Sequence, residues 1–121
     1  MRAKLLRLYS PDADPIEQYL PDGSFGLLVT AFVGPEDGPG EESFDFMLCT
    51  PDWFERKMMT RPHVSGRHTV FVRRFDYVAL EHYVRDYCSK CEGSSWREVA
   101  EKVARLGAWE FEDYDAPPIR P

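Results

Sequence analysis

Residues 75–114 constrain what this chain can fold into more than any other stretch. The run FDYVALEHYVRDYCSKCEGSSWREVAEKVARLGAWEFEDY reads as helix, tight turn, helix and short strand. Tyr77, Leu80, Val84, Cys88 and Cys91 recur three and four apart, with Tyr87 beside them, and so lay one apolar stripe along a helix. Asp76 fits as its N-cap and Gly93 as its stop. In the second helix Ser95 stands three residues before Glu98, the capping-box spacing, and Gly107 after Leu106 predicts a left-handed C-terminal cap. Trp96, Val99, Ala100, Val103 and Leu106 form its inward face. Its outward face sets Glu98 four residues before Lys102 and Glu101 four before Arg105, the favourable order for ion pairs. Two helices striped on one side must bury those stripes on a common surface, and the rest of the chain supplies a sheet for it.

Residues 3–9 (AKLLRLY) fit a first strand, and Ile16 to Leu20 a single helical turn inside a proline- and aspartate-rich link. In Phe25–Val33, Phe25, Leu27, Val29, Ala31 and Val33 line one face while Leu28 and Phe32 lie on the other, the pattern of a central strand. GPEDGPG (34–40) is a loop joining an antiparallel pair. After it Phe44, Phe46 and Leu48 alternate with Asp45, Met47 and Cys49. Thr50 as N-cap and Pro51 at the first helical position start a short helix. His68–Phe75 predicts a fourth strand and Ala108–Tyr114 a last one. The expected fold is a single α+β domain over residues 1–116. It is a mostly antiparallel sheet of about five strands, with two long helices packed on one face and one short helix. Residues 117–121 form an irregular C-terminal tail, because proline there blocks regular structure.

At 121 residues the chain can bury about two-thirds of its unfolded surface, so neither disulfides nor a metal is needed to hold it. Three cysteines leave one unpaired under any disulfide scheme, which suits a reducing cytoplasm. A net charge of −6 disfavours direct nucleic-acid binding and membrane-surface binding, and no apolar run approaches a membrane span. Cys88-Ser-Lys-Cys91 lies at the end of a helix, where the dipole opposes a thiolate, and no second CxxC completes a zinc site. The two cysteines therefore read as core. His63, His68 and His82 match no ligand spacing and read as surface residues. No nucleophile elbow or phosphate loop is present. No catalytic residue, metal or cofactor is expected.

Charge is distributed unevenly. Glu36 to Glu55 holds seven acidic residues and no basic one, whereas Arg56 to Arg74 holds six basic residues and no acidic one. Such separation steers association and selects partners. Glu36, Asp37, Glu41 and Glu42 crowd the glycine-rich loop, and Glu110, Glu112, Asp113 and Asp115 crowd the end of the last strand. Glu110 and Glu112 share the strand face opposite Trp109 and Phe111, so a solvated face and a binding face are both open. Trp53 and Phe54 at the start of the short helix, and Tyr77 with Tyr114 near element ends, are candidate interface anchors, with Trp53 also open to a core role.

The ESFDF strand leading into CTP-x-W, and the EG-x-x-W helix leading into W-E-F, resemble the Imm8-type immunity proteins of bacterial polymorphic toxin systems. The resemblance covers most of residues 24–114. It implies a cytoplasmic inhibitor that binds and neutralises a cognate secreted toxin domain, protecting the producing cell and its kin. Such a protein is not an enzyme, acts as a monomer or weak homodimer, and if acidic can mimic the nucleic acid that a nuclease toxin binds. Glu36, Asp37, Glu41, Glu42, Trp53, Glu110, Glu112, Asp113 and Asp115 are then the candidate partner-binding residues. A regulatory or structural subunit of a permanent complex, and a small enzyme with an unrecognised site, remain alternatives.

Overall fold

The odd-numbered residues from Phe25 to Val33 carry the apolar side chains that a sheet needs on its covered face, and this alternation sets the architecture. In the computed structural model, whose description covers residues 1–113, they lie in or beside strand β2 (Gly26–Pro35), between β1 (Ala3–Tyr9) and β3 (Glu42–Cys49). Both pairings are antiparallel, with Leu28 opposite Met47, Thr30 opposite Asp45, and Tyr9 opposite Thr30. Two further strands share the far edge of β3. Strand β4 (Thr69–Phe71) runs parallel beside Met47–Cys49, and β5 (Ala108–Trp109) runs antiparallel beside Phe44 and Asp45. The fold is thus α+β with a five-stranded, mostly antiparallel sheet. The parallel pair arises because the segment from Thr50 to His68, including helix α1 (Pro51–Met58), is long enough to cross back before β4 begins.

Helices α2 (Tyr77–Ser89, 13 residues) and α3 (Trp96–Val103, 8 residues) bury their stripes on the odd face of the sheet. Leu80, Val84 and Cys88 meet Val99, Ala100 and Val103 over Leu27, Val29, Val33, Phe44 and Phe46. Burying side chains of this size gives about 1.5–3 kcal/mol each against leaving them in water, which is why the apolar stripe and not helix propensity fixes these short helices. The caps are as the sequence predicts. Asp76 Oδ1 accepts the Ala79 N–H at 3.1 Å, and Ser95 Oγ accepts the Glu98 N–H at 3.2 Å.

Other local expectations are corrected. Gly107 is not left-handed; the glycines with positive φ are Gly23 and Gly40. Gly107 is required for close approach instead, since a Cβ there would stand 3.1 Å from the Asp45 carbonyl oxygen of β3. The pairs Glu98–Lys102 and Glu101–Arg105 do not form. Glu98 turns back to the Ser94 N–H, Lys102 donates to the Glu92 carbonyl at 2.6 Å, and Glu101 pairs with Arg97. The fourth strand does not span His68–Phe75. His68 has φ 60, and β3 ends at Cys49, so the ladder closes with the Val72 N–H on the Cys49 carbonyl. The last strand stops at Trp109, where the chain turns and the Glu112 N–H reaches back to the Trp109 carbonyl. Tyr114, and with it the expected end of that strand, lies outside the described residues.

Helix α1 lies on the opposite, even face. Thr50 occupies the N-cap position with extended backbone and Pro51 follows, as expected, but the Thr50 hydroxyl does not cap the helix. It accepts the Phe25 N–H at 3.2 Å instead, tying the helix start to the start of β2. The Trp53 ring rests on Gly26, where any Cβ would overlap it, and Cys49 is fully buried on this same face. Gly26, having no Cβ, is what lets Trp53 of the short helix pack onto the sheet.

Candidate partner-binding surface

Because β3 starts at Glu42 and ends at Cys49, the charge separation along the sequence becomes a separation along the sheet. The hairpin with Glu36 and Asp37, the start of β3 with Glu41 and Glu42, and the turn after β5 with Glu110, Glu112 and Asp113 all lie at one end. At the other end are β4 and α1 with Arg56, Lys57 and Arg61. The carboxylates differ in what holds them. Glu36, Asp37 and Asp113 are exposed. Glu41 pairs with Arg7 at 3.3 Å, both partners largely in water. Glu42 is half-buried, and its Oε1 accepts from two indoles, Trp96 Nε1 at 2.9 Å and Trp109 Nε1 at 2.7 Å. Glu110 Oε1 accepts the Ser43 N–H at 2.7 Å. Glu112 Oε2 meets Arg67 at 2.9 Å, while its Oε1 is shut off from solvent with no hydrogen-bond partner. Asp115 lies outside the described residues. The acidic end is therefore half anchored and half free.

Trp53 stands apart from this cluster, at the basic end of the sheet's even face. Lys57 Nζ sits 5.3 Å from its ring centre, and the neighbouring Phe54 meets Phe71 edge-on at 5.3 Å. From there the even face runs through Met47 and Leu28 to Phe32, which Arg7 covers at 3.8 Å, with the Thr30 hydroxyl donating to Asp45 Oδ1 at its centre. These side chains are half-buried, and among the described residues α1 is the helix that covers part of the face. The sequence singled out Trp53 and Phe54 but not Phe71, whose signal was faint because it falls in a stretch with apolar residues on both faces.

The model of the family described as immunity protein 8 matches residues 3–114. The chain belongs to the immunity protein 8 family. The match takes in β1 as well as the strand and helix pieces that carried the resemblance. No curated protein and no solved structure matches the chain.

In this immunity protein 8 family member the sulfur chemistry is quiet. All three cysteines are free and buried. Burial, then the neighbouring Cys91, pushes the Cys88 thiol up from 9.0 to about 12. Burial raises Cys91 and Cys49 too, against the pull of Arg105 and Lys57 respectively. Cys91 Sγ donates to the Tyr87 carbonyl at 3.3 Å, closing the helix end. His68 Nε2 lies 2.7 Å from the Ala104 carbonyl, which is a structural contact, and no cluster of three or more potential metal ligands occurs among the described residues. Nor is any helix among them long and apolar enough to cross a membrane. A thiol whose folded pKa is raised contributes stability that is whole below the unfolded value and is lost as pH rises towards the folded one. Unfolding free energy is therefore expected to hold steady up to about pH 9 and to fall above it, by about 1.4 kcal/mol per pH unit from Cys88 alone. Urea titrations of the native chain and of Cys88→Ala at pH 8 and pH 10 check this. The alanine variant should lose less on going to pH 10, and an equal loss would refute the assignment.

Proposed function

We propose that this chain is a cytoplasmic immunity protein that binds and neutralises a cognate secreted toxin domain, using the acidic end of its sheet. The observation that carries the proposal is the family membership joined to the convergence of Glu36, Asp37, Glu41, Glu110, Glu112 and Asp113 at one end of the sheet. Glu42 braces that end, Asp115 continues it in sequence, and Trp53 adds an aromatic anchor on the even face. Carboxylates spaced along such an end stand where phosphates would stand on a nucleic acid, so a nuclease domain is the toxin class that fits best. The protein works without catalysis, as a monomer or weak homodimer.

The test uses the toxin domain encoded beside this chain. Co-expression should rescue growth, and the two proteins should elute together from a sizing column. Reversing the three free carboxylates (Glu36→Lys, Asp37→Lys and Asp113→Lys) should weaken binding about 10- to 100-fold at low salt, since each exposed charge pair contributes up to about 1 kcal/mol. Thermal unfolding should stay within a few degrees of the parent. Unchanged affinity would mean that this end is merely solvated. Rescue without a complex would instead indicate enzymatic reversal of the damage.

A further inference from the structure

The far edge of the sheet has a feature that the acidic end does not explain. Among the described residues strand β4 pairs only with β3. In this parallel register Val70 and Val72 turn their backbone groups towards β3, as the Val72 N–H on the Cys49 carbonyl shows. The Phe71 N–H and C=O and the Thr69 C=O therefore point away from the sheet. Beside that edge runs a groove of about 300 Å³ between β4 and α2, lined by Val70, Val72, Leu80 and Tyr83, with Arg74 among its walls. Two large side chains flank the edge and stand half in water, Phe71 at 49% and Tyr83 at 48% exposure. The segment bearing β4 has no acidic residue between Glu55 and Asp76. Arg73 and Arg74 are exposed and make no ion pair among the described residues, and the Asp76 carboxylate is committed to the Ala79 N–H.

We propose that the free edge of β4 takes an extended acidic segment of the toxin domain as an added strand, hydrogen-bonded to Phe71 and Thr69. The proposal rests on the immunity function above and says how the partner is held. Strand addition uses backbone groups for affinity and alternate side chains for selectivity. Here one set of side chains from the added strand would enter the groove towards Leu80 and Tyr83. The other set would lie on the even face beside Phe71, Phe54 and Trp53. Charge decides between occupants. A second copy of this chain would bring to the edge another strand followed by Arg73 and Arg74 and with no acidic residue of its own, so it offers these arginines no opposite charge and adds like charge nearby. An acidic segment meets no such opposition. The toxin domain would then touch both poles of the molecule, carboxylates at one end and arginines at the other, and this two-signed pattern would fix its orientation.

Phe71→Pro tests the proposal because it deletes an N–H that β3 does not use, while the Val70 and Val72 bonds remain. Phe71→Ala controls for the lost ring. With the co-encoded toxin domain as the probe, Phe71→Pro should bind about tenfold more weakly than Phe71→Ala, the cost of one backbone hydrogen bond and its strand contacts. Arg73→Glu with Arg74→Glu should weaken binding by a similar factor that shrinks at high salt. Hydrogen exchange on the unsubstituted pair keeps the question open to refutation even if proline unsettles β4. Slowed exchange of the Phe71 amide on binding supports strand addition. A stable complex in which that amide exchanges as fast as in the free protein overturns strand addition and leaves the immunity function standing. Absence of any complex removes both.

Discussion

Replacing Glu42 with alanine is expected to lower unfolding free energy by about 3 kcal/mol, a large share of the total for a domain this size. One carboxylate oxygen of Glu42 accepts from two indoles, Trp96 at 2.9 Å and Trp109 at 2.7 Å. The two donors come from different elements, the first residue of α3 and the last of β5, so this single side chain at the start of β3 ties helix to sheet edge. Trp109 is 7% exposed and Trp96 is half-buried, so neither N–H can recover a full set of water contacts when the acceptor goes. Each stranded donor costs about 1–3 kcal/mol, and partial access of water to Trp96 puts the sum in the lower half of the combined range. Glu42→Gln keeps a carbonyl acceptor but not the charge and should cost only about 1 kcal/mol. Urea unfolding followed by tryptophan fluorescence reads both variants. A loss for Glu42→Ala below about 0.5 kcal/mol would mean that solvent replaces the carboxylate and that Glu42 is free to face the partner.

How far the sequence discloses this molecule depends on which physical signal each part leaves. The strands β1 to β3, the two capped helices and the face each buries were legible because alternation and 3.6-residue periodicity record burial directly. The edge elements were not. Whether His68–Phe75 or Ala108–Tyr114 can extend as strand depends on how much of β3 is left to pair with, and β3 is eight residues long with two strands sharing one edge. That is a tertiary limit with no local signature. The glycines misled for a related reason. Gly107 after a helix looks like a left-handed cap, but a need for close backbone approach to Phe44 and Asp45 selects glycine equally well. In the candidate surface, the segregation of charge was visible in the sequence, and its translation into two ends of one sheet follows from the register of β3. The bracing role of Glu42 was hidden, because nothing in a run of acidic residues distinguishes the one that two tryptophans hold.

Phe44→Ala should be the most damaging single truncation at the acidic end, costing about 4 kcal/mol. The ring is fully buried, and it stacks on Trp109 with ring centres 6.3 Å apart and planes within 9°. It also faces Trp109 across the β3–β5 ladder, so losing it opens a cavity beneath the strand that presents Glu110 and Glu112. Gly107 limits how well that cavity can close, since the chain there already lies against the β3 backbone. The cost should therefore fall in the upper part of the range for large-to-small changes, where surroundings relax poorly. Phe44 and Glu42 act on the same indole, one on its face and one on its N–H, and their effects should not add. Once Trp109 has loosened, the Glu42 carboxylate has less left to hold. A double-mutant cycle should give a coupling of about 1 kcal/mol, with the double variant less unstable than the sum. Toxin affinity supplies the functional half of the experiment. If the turn after β5 faces the partner, Phe44→Ala should weaken binding even where the protein is still folded, because Glu110 and Glu112 lose their fixed positions. Strict additivity in stability, with binding unchanged, would show that Trp109 and the carboxylates beyond it are held by other means.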